Sequence, residues 1–195
     1  MMGNGQSLTF ENVTCVRGRR FLFGDVSFAL AAGDALIVSG PNGAGKSSLL
    51  RLAAGLLKAE QGAVKREGAI ALADEHMALD PTLSLHHALD FWTQIDKSSA
   101  MSALGSVGLD HLARVPVRML STGQRRRTTL ARTLAARAEI WLLDEPANGL
   151  DIESIAMLEG LIAVHRMQGG IVVIASHQPI AVDGAQTLAL GTLGG

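Results

Sequence analysis

Gly40-Pro41-Asn42-Gly43-Ala44-Gly45-Lys46-Ser47 fits the spacing G-x-x-x-x-G-K-[ST]. These residue types suit the cradling of a polyphosphate. Glycines let backbone N–H groups turn inward around phosphate oxygens. A helix opening at the end of the run would point its positive end at the same anion. Lys46 would put a point charge near the β- and γ-phosphates of a nucleotide, and the Ser47 hydroxyl can ligate Mg2+. The nucleotide-binding run is read as Gly40 to Ser48.

A second group lies at Ile140-Trp141-Leu142-Leu143-Asp144-Glu145. Four apolar residues suit a buried strand, which would deliver two carboxylates at its carboxyl end, where α/β folds bind their ligands. Alone, this would be a solvated acidic turn. Beside a phosphate loop, Asp144 is read as holding Mg2+ through water and Glu145 as orienting the attacking water. A third group, Leu120-Ser121-Thr122-Gly123-Gln124, sets a Ser and a Gly at a helix start, another place where free N–H groups meet phosphate. Arg125-Arg126-Arg127, which follows, reads mostly as a solvated helix face.

The elements that must hold these groups are legible in outline. Leu8, Phe10 and Val13, then Phe21 to Phe28, read as short strands parted by a Gly18-Arg19-Arg20 turn. Ala35–Ser39, Ile70–Ala73, Ile140–Leu143 and Ile171–Ala175 are short apolar runs suited to buried parallel strands. Helices are expected over Ser47–Ala54, with Gly55 as a stop, and over Ser99–Gly105, Gln124–Ala138 and Ile152–Met167. Leu85, Ala88, Leu89 and Trp92 fall at i, i+3, i+4 and i+7, the apolar stripe of a further helix. Alternating strands and helices imply an α/β fold with a mainly parallel sheet.

The 195 residues suit one domain. With 48% hydrophobic and 18% charged residues the chain is not disordered, and a net charge of −1 speaks against a nucleic-acid partner. The mean hydropathy, +0.26, fits an α/β core rich in Ala, Leu and Gly. No apolar run approaches the ~20 residues of a bilayer span. Residues 1–7 carry neither a basic nor an apolar leader region, so no secretory signal is expected. Cys15 is alone, which excludes an intrachain disulfide or a Cys-based zinc site and suits a reducing cytosol. His86, His87, His111 and His165 form no metal or haem constellation in the sequence.

The order of the phosphate loop, Leu120–Gln124, the Asp144-Glu145 strand, Asn148-Gly149-Leu150-Asp151 and a single His177 after the last core strand resembles the ABC ATPases, over nearly the whole chain. The resemblance implies ATP and Mg2+ as ligands and a P-loop core with an antiparallel N-terminal sheet. It also implies a helical subdomain inserted at approximately residues 80–137, whose part from about Asp80 to Val117 touches a membrane partner. Two copies would stack head to tail as an ATP-sandwich homodimer. Ser121, Thr122, Gly123, Gln124 and Asp151 would then meet the partner copy's nucleotide, with Glu145, Lys46 and His177 catalytic. A soluble ABC protein acting on DNA or ribosomes usually carries a long coiled coil, and only 75 positions separate Lys46 from Ser121. A plain P-loop kinase would leave Ser121–Gln124 and His177 without a role.

Three positions depart from the family pattern. Arg17 stands where an aromatic residue usually stacks on adenine; its guanidinium can stack instead, or Phe21 or Phe23 can substitute. The Gln that usually follows the strand near Ile70–Ala73 is replaced within Asp74-Glu75-His76-Met77; alignment puts His76 at the Gln, a candidate Mg2+ ligand, with Glu75 next to it. Thr122 replaces a smaller residue. The shortness, Arg19-Arg20-Phe21-Leu22-Phe23 and Ser121–Arg127 look like the haem-exporter ATPases of cytochrome c maturation. That likeness implies a peripheral subunit on the cytoplasmic face of the bacterial inner membrane, working with integral membrane subunits and not binding haem itself. Another cargo is the alternative.

Overall fold

The computed structural model describes residues 5–95 and 97–191; residues 1–4, on which part of the secretory-signal expectation rests, lie outside it. Among the described residues there are two sheets and five α-helices. β1 (Ser7–Arg17), β2 (Arg20–Ala31) and β4 (Gln61–Glu67) make an antiparallel sheet in the order β2-β1-β4. β3 (Ala35–Ser39), β5 (Ile70–Ala73), β6 (Ile140–Asp144), β7 (Ile171–Ala175) and β8 (Gln186–Ala189) make a parallel sheet in the order β5-β6-β7-β3-β8.

The central strands are buried on both faces, which is why they read as unbroken Ile, Val and Leu runs. Successive side chains alternate between two cores. Trp141, Leu143, Val172 and Ile174 point to one side, where Leu85, Leu89, Leu104, Leu130, Leu158 and Ile162 of the helices pack. Ile140, Leu142, Ile171 and Val173 point to the other, against Leu49, Leu50 and Leu52 of α1 (Lys46–Ala53) and Leu8, Phe10 and Val13 of β1.

The helical side contains α2 (Leu85–Ile95), α3 (Ala100–Ser106), two short 3-10 turns at Asp110–Leu112 and Val117–Met119, α4 (Thr122–Ala135) and α5 (Ile152–Met167). Each expected helix is present. Leu85, Ala88 and Leu89 of the expected α2 stripe are buried; at its end Thr93 is buried, while Trp92 is half-buried, donates from Nε1 to the Ala78 carbonyl (3.2 Å) and carries Arg132 on its face at 5.1 Å. Of residues 125–127, Arg125 is exposed as the sequence suggested and Arg126 and Arg127 are half-buried, and all three are tied to backbone carbonyls. Arg125 donates to the Leu120 and Arg118 carbonyls, Arg126 to Asp74 O (3.4 Å) and Arg127 to Val107 O (3.3 Å). Among the described residues no helix is long and apolar enough to cross a membrane.

Candidate active site

Four parallel strands deliver their carboxyl ends to one edge. β3 runs into Gly40, β5 into Asp74, β6 ends on Asp144 followed by Glu145, and β7 leads to Ser176 and His177. Ala73 pairs with Leu143 and Asp144 with Ala175, so these ends are level with one another.

The loop from Gly40 to Gly45 folds because three of its glycines hold positive φ: 143° at Gly40, 81° at Gly43 and 105° at Gly45. Gly45 also admits Phe23 beneath the loop; a Cβ there would lie 2.8 Å from the Phe23 ring. Gly40 presses on β8, where a Cβ would meet the Leu190 carbonyl oxygen at 2.4 Å. Ala44 N donates to Pro41 O (3.2 Å), closing the turn, and α1 starts at once from Gly45. Lys46 is 93% buried, and its Nζ donates to Gly40 O (2.8 Å) and lies 3.4 Å from Pro41 O.

A cavity of about 440 Å3 opens over this loop, lined by Arg17, Arg20, Leu22, Asn42, Gly43, Gly45, Lys46, Ser47, Ser48, Arg51 and Glu145. That volume and the basic lining suit a nucleoside triphosphate. Arg17 is in the wall, as the sequence suggested. Arg20, assigned to a turn, stands there too, with its guanidinium 3.5 Å from where a Gly43 Cβ would be. Phe23 is buried below the loop and Phe21 is not part of the wall; neither ring lies against the cavity. Arg20 and Arg51 escaped the sequence reading because no motif marks them.

Glu145 hangs over the cavity. Its backbone adopts φ 49°, a left-handed conformation rare for a side-chain-bearing residue and typical of strained functional positions. Its carboxylate is held on both oxygens: Lys46 Nζ lies 3.7 Å from Oε1 and His177 Nδ1 2.8 Å from Oε2, with the His177 backbone N–H donating to Oε2 at 3.2 Å.

Asp144 is the metal-side candidate. Its Oδ1 is buried without a hydrogen-bond partner among the described residues. Burial pushes its pKa up; a hydrogen bond from the Ser47 side chain and the charge of Arg51 pull it down, while Glu145 and Asp74 raise it. An orphaned carboxylate oxygen beside a serine hydroxyl is a hard-oxygen donor pair that fits Mg2+, which keeps waters and takes few protein ligands. Consistently, no group of three or more His, Cys, Asp or Glu residues forms a metal cage among the described residues. His76 is 71% exposed, with Nδ1 3.5 Å from Asp74 Oδ2, and Glu75 is exposed; neither lines the cavity.

Ser121–Gln124 lies outside the cavity wall. Ser121 caps α4: its Oγ accepts the Gln124 N–H (3.2 Å) and Gln124 Oε1 accepts the Ser121 N–H (2.9 Å). Gly123 backs onto the Gly149 carbonyl, which a Cβ would approach to 3.1 Å, and a Cβ on Gly149 would meet Thr122 Cγ2 at 3.4 Å. Asp151 caps α5 through Oδ1 and the Ser154 N–H (2.8 Å), and that hydrogen bonding holds its pKa down. A second cavity, of about 420 Å3, lies at the opposite ends of β6 and β7, walled by Arg137, Glu139, Trp141 and His165 among others, and none of the phosphate-loop residues reaches it.

A phosphate loop between a parallel strand and a helix, an acidic pair at the end of the neighbouring strand, and an antiparallel sheet over α1 define an ATP-hydrolysing subunit of the ABC class. The family model described as ABC transporter matches residues 23–148. The cytochrome c biogenesis ATP-binding export protein CcmA of Sphingopyxis alaskensis is 52% identical over 189 residues, covering 95% of this chain and 97% of that one. Its counterpart in Novosphingobium aromaticivorans is 50% identical, covering 94% and 95%. A solved chain described as a metal-chelate type ABC transporter in an inward-facing conformation superimposes with a TM-score of 0.81 at 30% identity, covering 95% of this chain and 80% of that one. The chain belongs to the ABC transporter ATP-binding family, in the branch of the cytochrome c biogenesis ATP-binding export proteins.

Proposed function

We propose that the chain hydrolyses ATP as a head-to-tail homodimer and drives a haem-delivery or export step in c-type cytochrome biogenesis. It does so as a peripheral subunit on the cytoplasmic face of the inner membrane, bound to integral membrane subunits. One observation carries the enzymatic reading: the Glu145 carboxylate stands over the phosphate loop, held by Lys46 on one oxygen and His177 on the other. The cargo rests on the likeness to the export proteins named above.

ATP occupies the cavity over Gly40–Ser48. The loop N–H groups of Asn42, Gly43, Ala44 and Gly45 and the start of α1 take the phosphates, and Lys46 leaves its two carbonyls for the β- and γ-oxygens. Arg17 and Arg20 line the side of the cavity where they can stack on or flank the nucleotide. Ser47 and Asp144 hold Mg2+, which supplies positive charge to the phosphoryl oxygens when bound. Glu145 orients a water in line with the γ-phosphorus, and His177 and Lys46 stabilise the charge that develops. Ser121, Thr122, Gly123 and Gln124 complete the other copy's site, with Asp151 beside them. The closed dimer is favoured only while ATP bridges both copies, and hydrolysis releases it. The helical subdomain of residues 80–137 presents exposed Phe91, Ile95 and Met119 to the membrane partner.

Glu145→Gln should retain ATP binding, lose hydrolysis at least about 100-fold and accumulate as an ATP-dependent dimer in size-exclusion chromatography. Unchanged hydrolysis refutes the role of Glu145. Deleting the gene and complementing with wild type or Lys46→Ala tests the cargo: covalently bound haem in membrane fractions should return with wild type alone. Persistence of c-type cytochromes in the deletion assigns another cargo.

A further inference from the structure

We propose that Arg20 is a phosphate-binding residue, one that grips the phosphate chain of the nucleotide from outside the phosphate loop while Lys46 serves it from within. The inference rests on the nucleotide reading of the cavity and adds a recognition residue to it. β1 and β2 end in a tight hairpin whose last pair sets Arg17 directly opposite Arg20, with Gly18 at φ 62° in the turn between them. Like charges opposed across two strands weaken a hairpin. Arg19, in the same turn, adds a third. None of the three makes an ion pair or a side-chain hydrogen bond among the described residues.

The end of the hairpin is seated on the phosphate loop by Leu22 and the buried Phe23: a Cβ on Gly45 would lie 2.8 Å from the Phe23 ring and 3.2 Å from Leu22 Cβ. Arg20 is thereby laid over the middle of the loop. A Cβ on Gly43 would lie 3.5 Å from its Nη2 and 3.8 Å from its Nη1, so both amino groups stand over a residue with no side chain to block them. The charge balance of the cavity points the same way. Its wall carries Arg17, Arg20, Lys46 and Arg51 against one carboxylate, Glu145. Glu145 is held by Lys46 and His177, and Arg51 has Asp74 at 4.0 Å, which leaves the two hairpin arginines without a carboxylate among the described residues. A planar guanidinium fork pairs with two phosphate oxygens at once, and a triphosphate brings enough negative charge to relieve the opposed pair. Of the two, Arg20 is the one that lies against the loop.

The test measures binding of ATP and of inorganic tripolyphosphate to the full chain in EDTA by isothermal titration calorimetry. Arg20→Gln should weaken both ligands by the same factor, about tenfold, the worth of one hydrogen bond to a charged group. Its binding should also be less sensitive to salt than that of wild type. Arg20→Lys, which keeps the charge but not the fork, should recover part of the loss. Arg19→Gln removes the same charge one residue away, outside the cavity wall, and should bind both ligands within about twofold of wild type. Thermal melts establish that each variant is folded. An equal loss in Arg19→Gln overturns the inference, because diffuse charge then suffices. Full tripolyphosphate affinity in Arg20→Gln also overturns it, whether or not ATP binding falls. Lys46→Ala separates the two layers: if it binds both ligands as wild type does, the nucleotide reading of the loop fails; if it is impaired and Arg20→Gln is not, only the role of Arg20 fails.

Discussion

Replacing Asp144 with Asn should stabilise the nucleotide-free protein while removing its use of a divalent cation. Asp144 Oδ1 is buried without a partner, and burial raises the pKa of the group, with Ser47 and Arg51 opposing. A buried unsatisfied polar atom costs about 1–3 kcal/mol, more when charged. A neutral amide of the same shape removes the charge but still leaves polar atoms there, so a gain of about 1 kcal/mol is expected. For a chain of 195 residues that is about 2–4 °C in Tm. The pH dependence follows from the direction of the shift. A carboxyl whose folded pKa lies above its unfolded value holds its proton more tightly when folded, so its contribution is present in acid and is lost as pH rises through the folded value. The advantage of Asn should therefore be full at neutral pH and shrink as pH falls toward the ordinary carboxylate range, about 4, where wild type protonates. Thermal melts in EDTA across that range measure it. A lower Tm for Asp144→Asn at neutral pH, or a gain that persists undiminished in acid, refutes the reasoning. With excess MgATP the order should invert, because only wild type gains ligand stabilisation.

Ser121→Ala removes one half of the reciprocal cap and should cost about 1 kcal/mol of stability; a melt reads that loss, and ATPase activity should fall far more than stability does. Gly170→Ala would put a Cβ 2.1 Å from His165 Nε2, whose ring is stacked on Trp141 at 3.8 Å, so a loss of about 1–3 kcal/mol is expected, largely restored in the double variant with His165→Ala. Burial holds the His165 pKa down, so protonation favours the unfolded chain and stability should decline as pH falls below about 6.5; His165→Phe should flatten that slope in pH-dependent melts. Gly40→Ala forces a Cβ to 2.4 Å from Leu190 O and should abolish nucleotide binding measured by titration with a fluorescent ATP analogue.

What the sequence disclosed was whatever is written locally. The buried strands carry their own runs of Ile, Val and Leu, and the phosphate loop carries its own glycines. β4 and β8 were missed for a physical reason. Both lie at sheet edges, Gln61–Glu67 is almost wholly exposed, and Gln186–Ala189 has only four residues, so neither needs an apolar pattern. Their pairing comes from distant partners, Glu11 with Ala63 and Ile37 with Thr187. The same holds within the site. Lys46, Ser47, Asp144 and Glu145 announce themselves by spacing, whereas Arg20 and Arg51 gain meaning only when β1–β2 and α1 meet over the loop.

Three of the groups assigned to the nucleotide or its hydrolysis are engaged with the chain itself: Lys46 with Gly40 and Pro41, Glu145 with Lys46 and His177, Ser121 with Gln124. At these groups nucleotide enters by exchange. Each contact formed there displaces one of similar kind, so the measured affinity understates the strength of those contacts. The loop is braced from within by its own lysine, which spares the ligand part of the entropy of ordering it. The hydrolytic carboxylate is held in the same way, by Lys46 on one oxygen and His177 on the other, so its direction is fixed before substrate arrives.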